Sequence, residues 1–495
     1  MTQHVVVIGL DCAAPDLVFQ QFRSGLPTLS RFMERGVWGE MESTIPPITV
    51  PAWMCMMTGR DPGELGVYGF RNRRDHSYDG LTFASSRMID APALWDILGA
   101  GGLQTITLGT PLTYPVRPIE GLMVSGFLAP DTQSNFTWPP SLRDEILGVA
   151  PDYALDVRDF RTNDKDRLLS DVIAMTRSRF RVGRHLLEHH PWNLFVMVEI
   201  GLDRMHHGFW RFHDPEHRAF EPGNALQHAI RDYYRLLDGE IRELIDGLPS
   251  DTLVLVVSDH GAKRLEGGLC FNDWLIAEDY LVLKSAPVCP TRFDPELVDW
   301  SRTRAWGDGG YYGRLFLNIA GREPAGIVPP EDVEALKNEL TAKLERLTDE
   351  HGAPLGSQVF QPHATYRTVK GVAPDLIVYF GDLSWRSIGS VGNRSIWTHD
   401  NDTGPDDANH AQQGIFMMAE RGALLEQRSG TTTTQPERKD ISIYDVAPTV
   451  LAALGVAAPA GVGRHAVAQS DGGASAYTAE EEAELARRLS DLGYL

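Results

Sequence analysis

An α/β fold with a mostly parallel central sheet flanked by helices is what this sequence predicts, and three observations carry that expectation. Short, nearly continuous apolar runs alternate with longer amphipathic stretches, the pattern of strands joined by helical crossovers. The runs lack the apolar/polar alternation of half-exposed strands, so they fit a sheet covered on both faces. Three of them lead into an aspartate, and ligands of open α/β sheets bind beyond the carboxyl ends of the strands.

In chain order, the runs at 5–10, 105–109, 194–200, 252–258, 374–380 and 414–420 are the expected strands. Helices are expected at 29–35, 51–57, 165–188, 223–246 and 330–350, the last opening on a Pro-Pro-Glu-Asp start signal. YTAEEEAELARRLSDLGYL at 477–495 reads as a capped terminal helix. From 264 to 363 the rhythm breaks into aromatic and Gly-rich segments, read as an inserted cap-like subdomain between core segments 1–263 and 364–495. TTTT at 431–434 and SDGGASA at 470–476 read as surface loops.

Composition narrows the function. With 495 residues, 42% hydrophobic and 23% charged, the chain has material for a sizeable core and is neither disordered nor of low complexity. A net charge of −21 repels polyphosphate backbones and anionic membranes, so no large nucleic acid and no membrane is expected as partner. Cys12, Cys55, Cys270 and Cys289 form no CxxC pair and read as reduced thiols. The N-terminus shows no basic, apolar and small-residue series of a signal peptide, and no apolar run approaches the roughly 18 to 20 residues that span a bilayer. A cytoplasmic location is the expectation. A homo-oligomer is compatible with everything above.

The chemistry centres on Asp11, Asp203 and Asp259. Three carboxylates gathered at strand ends repel one another, and a divalent metal is their natural counter-charge. Taken singly, each is equally readable as a cap of the helix that follows. Asp203 and His207 are spaced i and i+4, one helix face, while His206 lies about 100° away and reads as structural. Asp259 and His260 adjoin Gly261, whose permissive backbone lets both turn to one site. Mixed Asp and His ligation suits zinc first and manganese second. Thr49, in PPITVPAW, is placed to open a helix as its N-cap. It is read either as that cap or as a hydroxyl nucleophile favoured by a positive helix end and a nearby cation.

The ordered segments VVVIGLD, PPITVPAWMCMMTGRDPGELGVYGF, GLDRMHHGFW, VVSDHG and NHAQQGIF resemble the alkaline phosphatase superfamily. Within it, the resemblance is to the type I phosphodiesterase and nucleotide pyrophosphatase branch and its phosphohydrolase or phosphomutase relatives. It implies an alkaline phosphatase-like core with an inserted cap and a two-metal site. Asp203, His207 and His410 match the ligands of one metal, and Asp11, Asp259, His260 and Thr49 those of the other. Zinc is the expected ion, manganese the second choice. Thr49 matches a nucleophile that forms a phosphothreonine intermediate on a small, perhaps nucleotide-like, phosphoester. Where nucleotide pyrophosphatases carry an Asn after the nucleophile helix this chain has Phe70, so Arg71, Asn72, Arg73 or Arg74 are the candidates to replace it. Asn272, in FNDWL, is a further candidate for the substrate pocket, and Trp306, Tyr311 and Tyr312 are cap candidates. A phosphomonoesterase or phosphomutase on the same site is the alternative, and a non-catalytic metal- or ligand-binding protein the third reading. Sulfatase activity is disfavoured because neither Cys12 nor Cys55 lies in a CxPxR-like context.

Overall fold

The computed structural model describes residues 2–425, 436–463 and 477–491. Five of the six apolar runs enter one ten-stranded sheet. Its order is Glu437–Arg438, Val37–Glu42, Gln413–Glu420, Leu253–Val257, Val5–Leu10, Leu194–Glu199, Thr105–Thr110, Gly121–Ser125 and Thr137–Trp138, with Ile441–Ser442 also paired to Val37–Glu42. Val5–Leu10 is parallel to both of its neighbours, with Val6 opposite Phe195 on one side and Val254 on the other. All six of its residues are buried, which is why the run needs no polar face. Gln413–Glu420 joins antiparallel, so the parallel centre is bordered by an antiparallel flank.

Helices cover the sheet. Ala229–Asp246 buries Ile230, Tyr233, Tyr234, Leu237, Ile241, Leu244 and Ile245, a stripe at three- and four-residue spacing. On the same stripe the buried Asp238 accepts the Thr28 and Leu29 amides at 3.0 and 2.8 Å, capping the helix Pro27–Arg35 from outside. Lys165–His189 is capped by Asp164, which accepts from the Arg167 amide. The helix expected from 223 starts only at Ala229, because Glu221 to Asn224 forms a turn with Gly223 at φ 77°. The helix expected over 330–350 is a short 3-10 turn followed by Val333–Leu344; beyond it the chain turns at Asp349 and Gly352, the latter at φ 82°. The terminal helix runs Ala479–Asp491, with Thr478 and Glu481 bonding each other's backbone amides. The segments 431–434, 470–476 and 492–495 lie outside the described residues.

The sixth run corrects the expectation. Leu376–Tyr379 joins Gly313–Leu317, Ala305–Asp308 and Gln358–Phe360 in a separate four-stranded antiparallel sheet. Its continuous apolarity has a different cause: Leu376, Val378 and Phe380 face a second hydrophobic cluster, while Ile377 and Tyr379 face the main core. The second cluster, built on Phe271, Trp274, Leu275, Leu315, Leu340 and Trp385, continues past residue 363. No helix among the described residues is long and apolar enough to cross a membrane.

Candidate active site

Three adjacent strands of the sheet, Leu253–Val257, Val5–Leu10 and Leu194–Glu199, deliver Asp259, Asp11 and Asp203 to one edge. All three carboxylates are fully buried. Asp11 follows its strand directly, Asp259 follows two residues after its own, and Asp203 sits in the first turn of the helix Gly201–His213. Gly9 makes this packing possible: a Cβ there would lie 2.3 Å from the Trp53 ring, whose Nε1 donates to Asp11 Oδ2 at 2.6 Å. Cys12 adopts a left-handed backbone (φ 70°) and donates its amide to Asp259 Oδ1 at 3.2 Å.

Thr49 is the first residue of the helix Thr49–Thr58, and Ile48 holds the cap position. The hydroxyl makes no capping bond. It lies instead 3.2 Å from His260 Nε2. The expectation that Thr49 is the N-cap is thereby corrected by one residue, and the side chain is turned inward.

The histidines come from three elements. His207 follows Asp203 by one helical turn and places Nε2 3.2 Å from Asp203 Oδ1. His410 lies on Ala408–Ala411, which pairs antiparallel with Gly261–Arg264. That pairing stacks the His410 and His260 rings with centroids 3.8 Å apart. His260 Nδ1 faces the Gly261 carbonyl at 3.1 Å and His410 Nδ1 the Pro47 carbonyl at 2.7 Å. A carbonyl only accepts, so each Nδ1 carries the proton and each Nε2 offers its lone pair to the site. His206 points elsewhere, its Nε2 3.3 Å from the Tyr234 hydroxyl.

Protonation reflects this crowding. Burial and the neighbouring carboxylates push Asp11 and Asp259 well above the ordinary range. Burial acts on Asp203 too, but His207 and Arg204 outweigh it and hold the carboxylate well below the usual value. Burial pushes His260 down to about 4 and His410 well below its usual value, whereas Asp406 and Asp203 overcome burial at His207 and raise it to about 9. Five buried atoms, Asp11 Oδ1, Asp203 Oδ1, Asp259 Oδ2, His207 Nε2 and His410 Nε2, make no well-aligned hydrogen bond, and their close neighbours are one another and His260. Leaving such atoms unsatisfied costs about 1–3 kcal/mol each, more when charged. Two groups converge within 4.8 Å: Asp203 with His260 and His410, and Asp11 with Asp259 and His260. These oxygen and imidazole donors fit divalent cations such as zinc or manganese. His260 belongs to both groups, whereas the expected assignment gave it to one.

Several contributors escaped the sequence reading. Asp406 accepts from His207 Nδ1 at 2.8 Å and is held by Arg161 at 2.7 Å. Arg204 pairs with Asp203 and, at 2.7 Å, with Asp156. Arg204 adjoins Asp203 in sequence and Trp53 lies in the threonine helix, so both had a positional signal. Asp406 had none, since DTGPDDANH offers three aspartates equally. Tyr311 stacks on the His207 ring with centroids 4.9 Å apart.

The residues expected to contact substrate have these partners. Arg71 reaches Asp308 at 3.5 Å, Arg73 reaches Glu323 at 3.4 Å and Arg74 pairs with Asp75 at 3.2 Å. Asn72 turns back on its own loop, accepting from the Tyr68 amide and donating to the Gly69 carbonyl. Asn272 is fully buried, and its amide ties Gly307 N and O to Gly389 O. Both amides are bonded to backbone groups.

The model of the type I phosphodiesterase/nucleotide pyrophosphatase family matches residues 5–406, most of the chain. The chain belongs to that family. The match stops four residues before His410. No curated protein sequence matches the chain. Among solved structures, human ectonucleotide pyrophosphatase/phosphodiesterase 5 is similar at 15% identity and a TM-score of 0.52, over 93% of this chain and 97% of that one. An inactive variant of the murine protein in complex with AMP is similar at 12% identity and 0.52, over 92% and 96%. Phosphonoacetate hydrolase from Sinorhizobium meliloti 1021, in complex with phosphonoformate, is similar at 16% identity and 0.56, over 92% and 96%. At these identities the likeness is one of fold, the alkaline phosphatase-like α/β core. With the family, the chain is a phosphoester hydrolase.

Proposed function

We propose that this chain hydrolyses small phosphodiesters or pyrophosphates with two divalent cations, zinc before manganese, and with Thr49 as nucleophile. Asp203, His207 and His410 would hold one cation; Asp11, Asp259, His260 and Thr49 the other. The observation that carries the reading is the convergence of buried carboxylate and imidazole ligand atoms beside a threonine hydroxyl at a helix start. When bound, the cations supply positive charge that lowers the hydroxyl pKa and neutralises phosphate oxygens.

The remaining work falls to the chain. The helix Thr49–Thr58 directs its positive end at the Thr49 oxygen, which favours the alkoxide. Before a cation binds, His260 Nε2, 3.2 Å away, accepts the hydroxyl hydrogen bond and keeps the oxygen turned toward the ligand atoms. The alkoxide attacks phosphorus in line, the leaving group departs on the opposite side, and water hydrolyses the resulting phosphothreonine. Complete burial of the surrounding side chains excludes competing water. The proposed substrate is a small molecule, and the proposed compartment is the cytoplasm.

The test is steady-state hydrolysis of bis-4-nitrophenyl phosphate and 4-nitrophenyl phosphate at defined zinc or manganese. Preference for the diester, with a loss of about 1000-fold or more in Thr49→Ala, is the expected result. Wild-type turnover in Thr49→Ala would overturn the nucleophile. A strong monoester preference would move the assignment to phosphatase or phosphomutase.

A further inference from the structure

A cavity of about 950 Å³ lies beside the site, bounded on one side by residues 71–83 and 159–161 and on the other by residues 290–316 and 386–403. Five guanidinium groups line it, from Arg71, Arg73, Arg161, Arg292 and Arg386. In a chain of net charge −21 this is a gathering of guanidinium groups, interleaved on the same lining with Asp79, Asp159, Asp308 and Asp402.

Carboxylates offset much of this charge, and Arg73 is paired with Glu323 at 3.4 Å. Asp308 is shared by Arg71 and Arg314, at 3.5 and 2.5 Å. Asp406, behind the wall, is shared by Arg161 and Arg386, at 2.7 and 3.7 Å, and also serves His207. Asp402 lies 3.7 Å from Arg386, while Asp79 and Asp159 also border the space. Arg292 is exposed and has no ion pair or hydrogen bond among the described residues. The Nε atoms of Arg71 and Arg386 are buried without a hydrogen-bond partner. Burial lowers the pKa of both, against the pull of Asp308 on Arg71 and of Asp402 and Asp406 on Arg386.

The same cavity has a flat apolar wall. Trp306 and Phe316 line it, with the Arg73 guanidinium 5.3 and 5.0 Å from their ring centroids, and Tyr78 stacks on Trp300 at 3.6 Å. Tyr311 connects the cavity wall to the candidate ligands. Arg161 hydrogen-bonds the Tyr311 hydroxyl at 2.5 Å, and the Tyr311 ring stacks on His207.

We propose that this cavity receives the half of the substrate that is not at the metals, and that this half is a flat organic group carrying its own anionic charge, a carboxylate or a second phosphate. Guanidinium pairs suit such oxyanions through bidentate bonds, and the aromatic wall suits the body that carries them. The proposal rests on the hydrolase reading for what occupies the metal side, and one arm of its test does not depend on turnover.

Two diesters with the same 4-nitrophenolate leaving group separate the alternatives: phenyl 4-nitrophenyl phosphate and 4-carboxyphenyl 4-nitrophenyl phosphate. The carboxylate compound is expected to show a kcat/KM about tenfold higher. Arg292→Gln, at an exposed position, should cut that ratio severalfold and Arg292→Lys should restore most of it. Arg71→Gln should cut it as well. Equal kcat/KM for the two diesters in the wild type, or a ratio unchanged in both glutamine variants, would overturn the proposal. Should neither diester turn over, the hydrolase reading fails, and calorimetric titration of metal-free protein with 4-carboxyphenyl phosphate still decides the cavity. Binding that is weakened in Arg292→Gln supports it; absence of binding overturns it.

Discussion

Asp406 shows how much a single side chain behind the ligands can govern. Its carboxylate is fully buried, held well below its usual pKa because Arg161 and His207 outweigh burial, and bonded to His207 Nδ1. That bond sets which way Nε2 points. Asp406→Asn is expected to weaken divalent metal binding by about 10- to 100-fold, read by titration calorimetry on the stripped protein. Metal affinity equal to wild type would show that His207 needs no such orienter. His206 makes a second case. Burial pushes its pKa down to about 3, so the folded chain refuses a proton that the unfolded chain binds below pH 6.5. Its contribution to stability is therefore present above pH 6.5 and is lost at about 1.4 kcal/mol per pH unit as acid rises, until about pH 3. Asp11 and Asp259, raised in the metal-free protein, act in the opposite direction, gaining protons on folding. Urea denaturation of metal-free wild type and His206→Gln at pH 7.5 and 5.5 isolates the histidine: the wild type should lose about 1 kcal/mol more than the variant over that interval. Equal losses would place the histidine's titration elsewhere.

At the scale of elements, helices and strands are tied by a few polar bonds that periodicity does not reveal. The apolar stripe of Ala229–Asp246 was readable from its spacing, yet Asp238 within it caps a different helix. Asp238→Ala removes the acceptor for the Thr28 and Leu29 amides and should cost about 1–2 kcal/mol, measured by denaturant unfolding. A change within about 0.3 kcal/mol would mean that water replaces the cap. The strand Val5–Leu10 depends on Gly9, where any Cβ meets Trp53. Gly9→Ala should destabilise the protein by about 1–3 kcal/mol and, by displacing the Trp53 Nε1 bond to Asp11, weaken metal binding as well. Destabilisation without loss of metal affinity would detach Trp53 from the site.

At the scale of the whole molecule, two hydrophobic clusters meet along Leu376–Tyr379, and the candidate ligands sit at the carboxyl edge of the larger cluster's sheet. Cations that bind the folded chain and replace the protons held by Asp11 and Asp259 should stabilise the entire fold. Chelation is expected to lower the melting temperature measurably, and re-addition of zinc should restore it. An unchanged melting temperature after complete stripping would mean that the carboxylates are satisfied without metal.

The amino-acid sequence by itself determined the α/β class, most strand positions and the candidate aspartates, because apolar runs and the residues that end them are local features. Asp203 and His207 were likewise legible as one helix face. What only the tertiary structure decided is what lies far apart in the chain. His410 meets His260 through an antiparallel pairing, Asp406 reaches His207 from across the molecule, and the run at 374–380 joins a second sheet. The physical reason is that spacing reports which face a residue occupies, but not what that face is packed against. A strand apolar on both faces reads the same whether it lies between helices or between two cores.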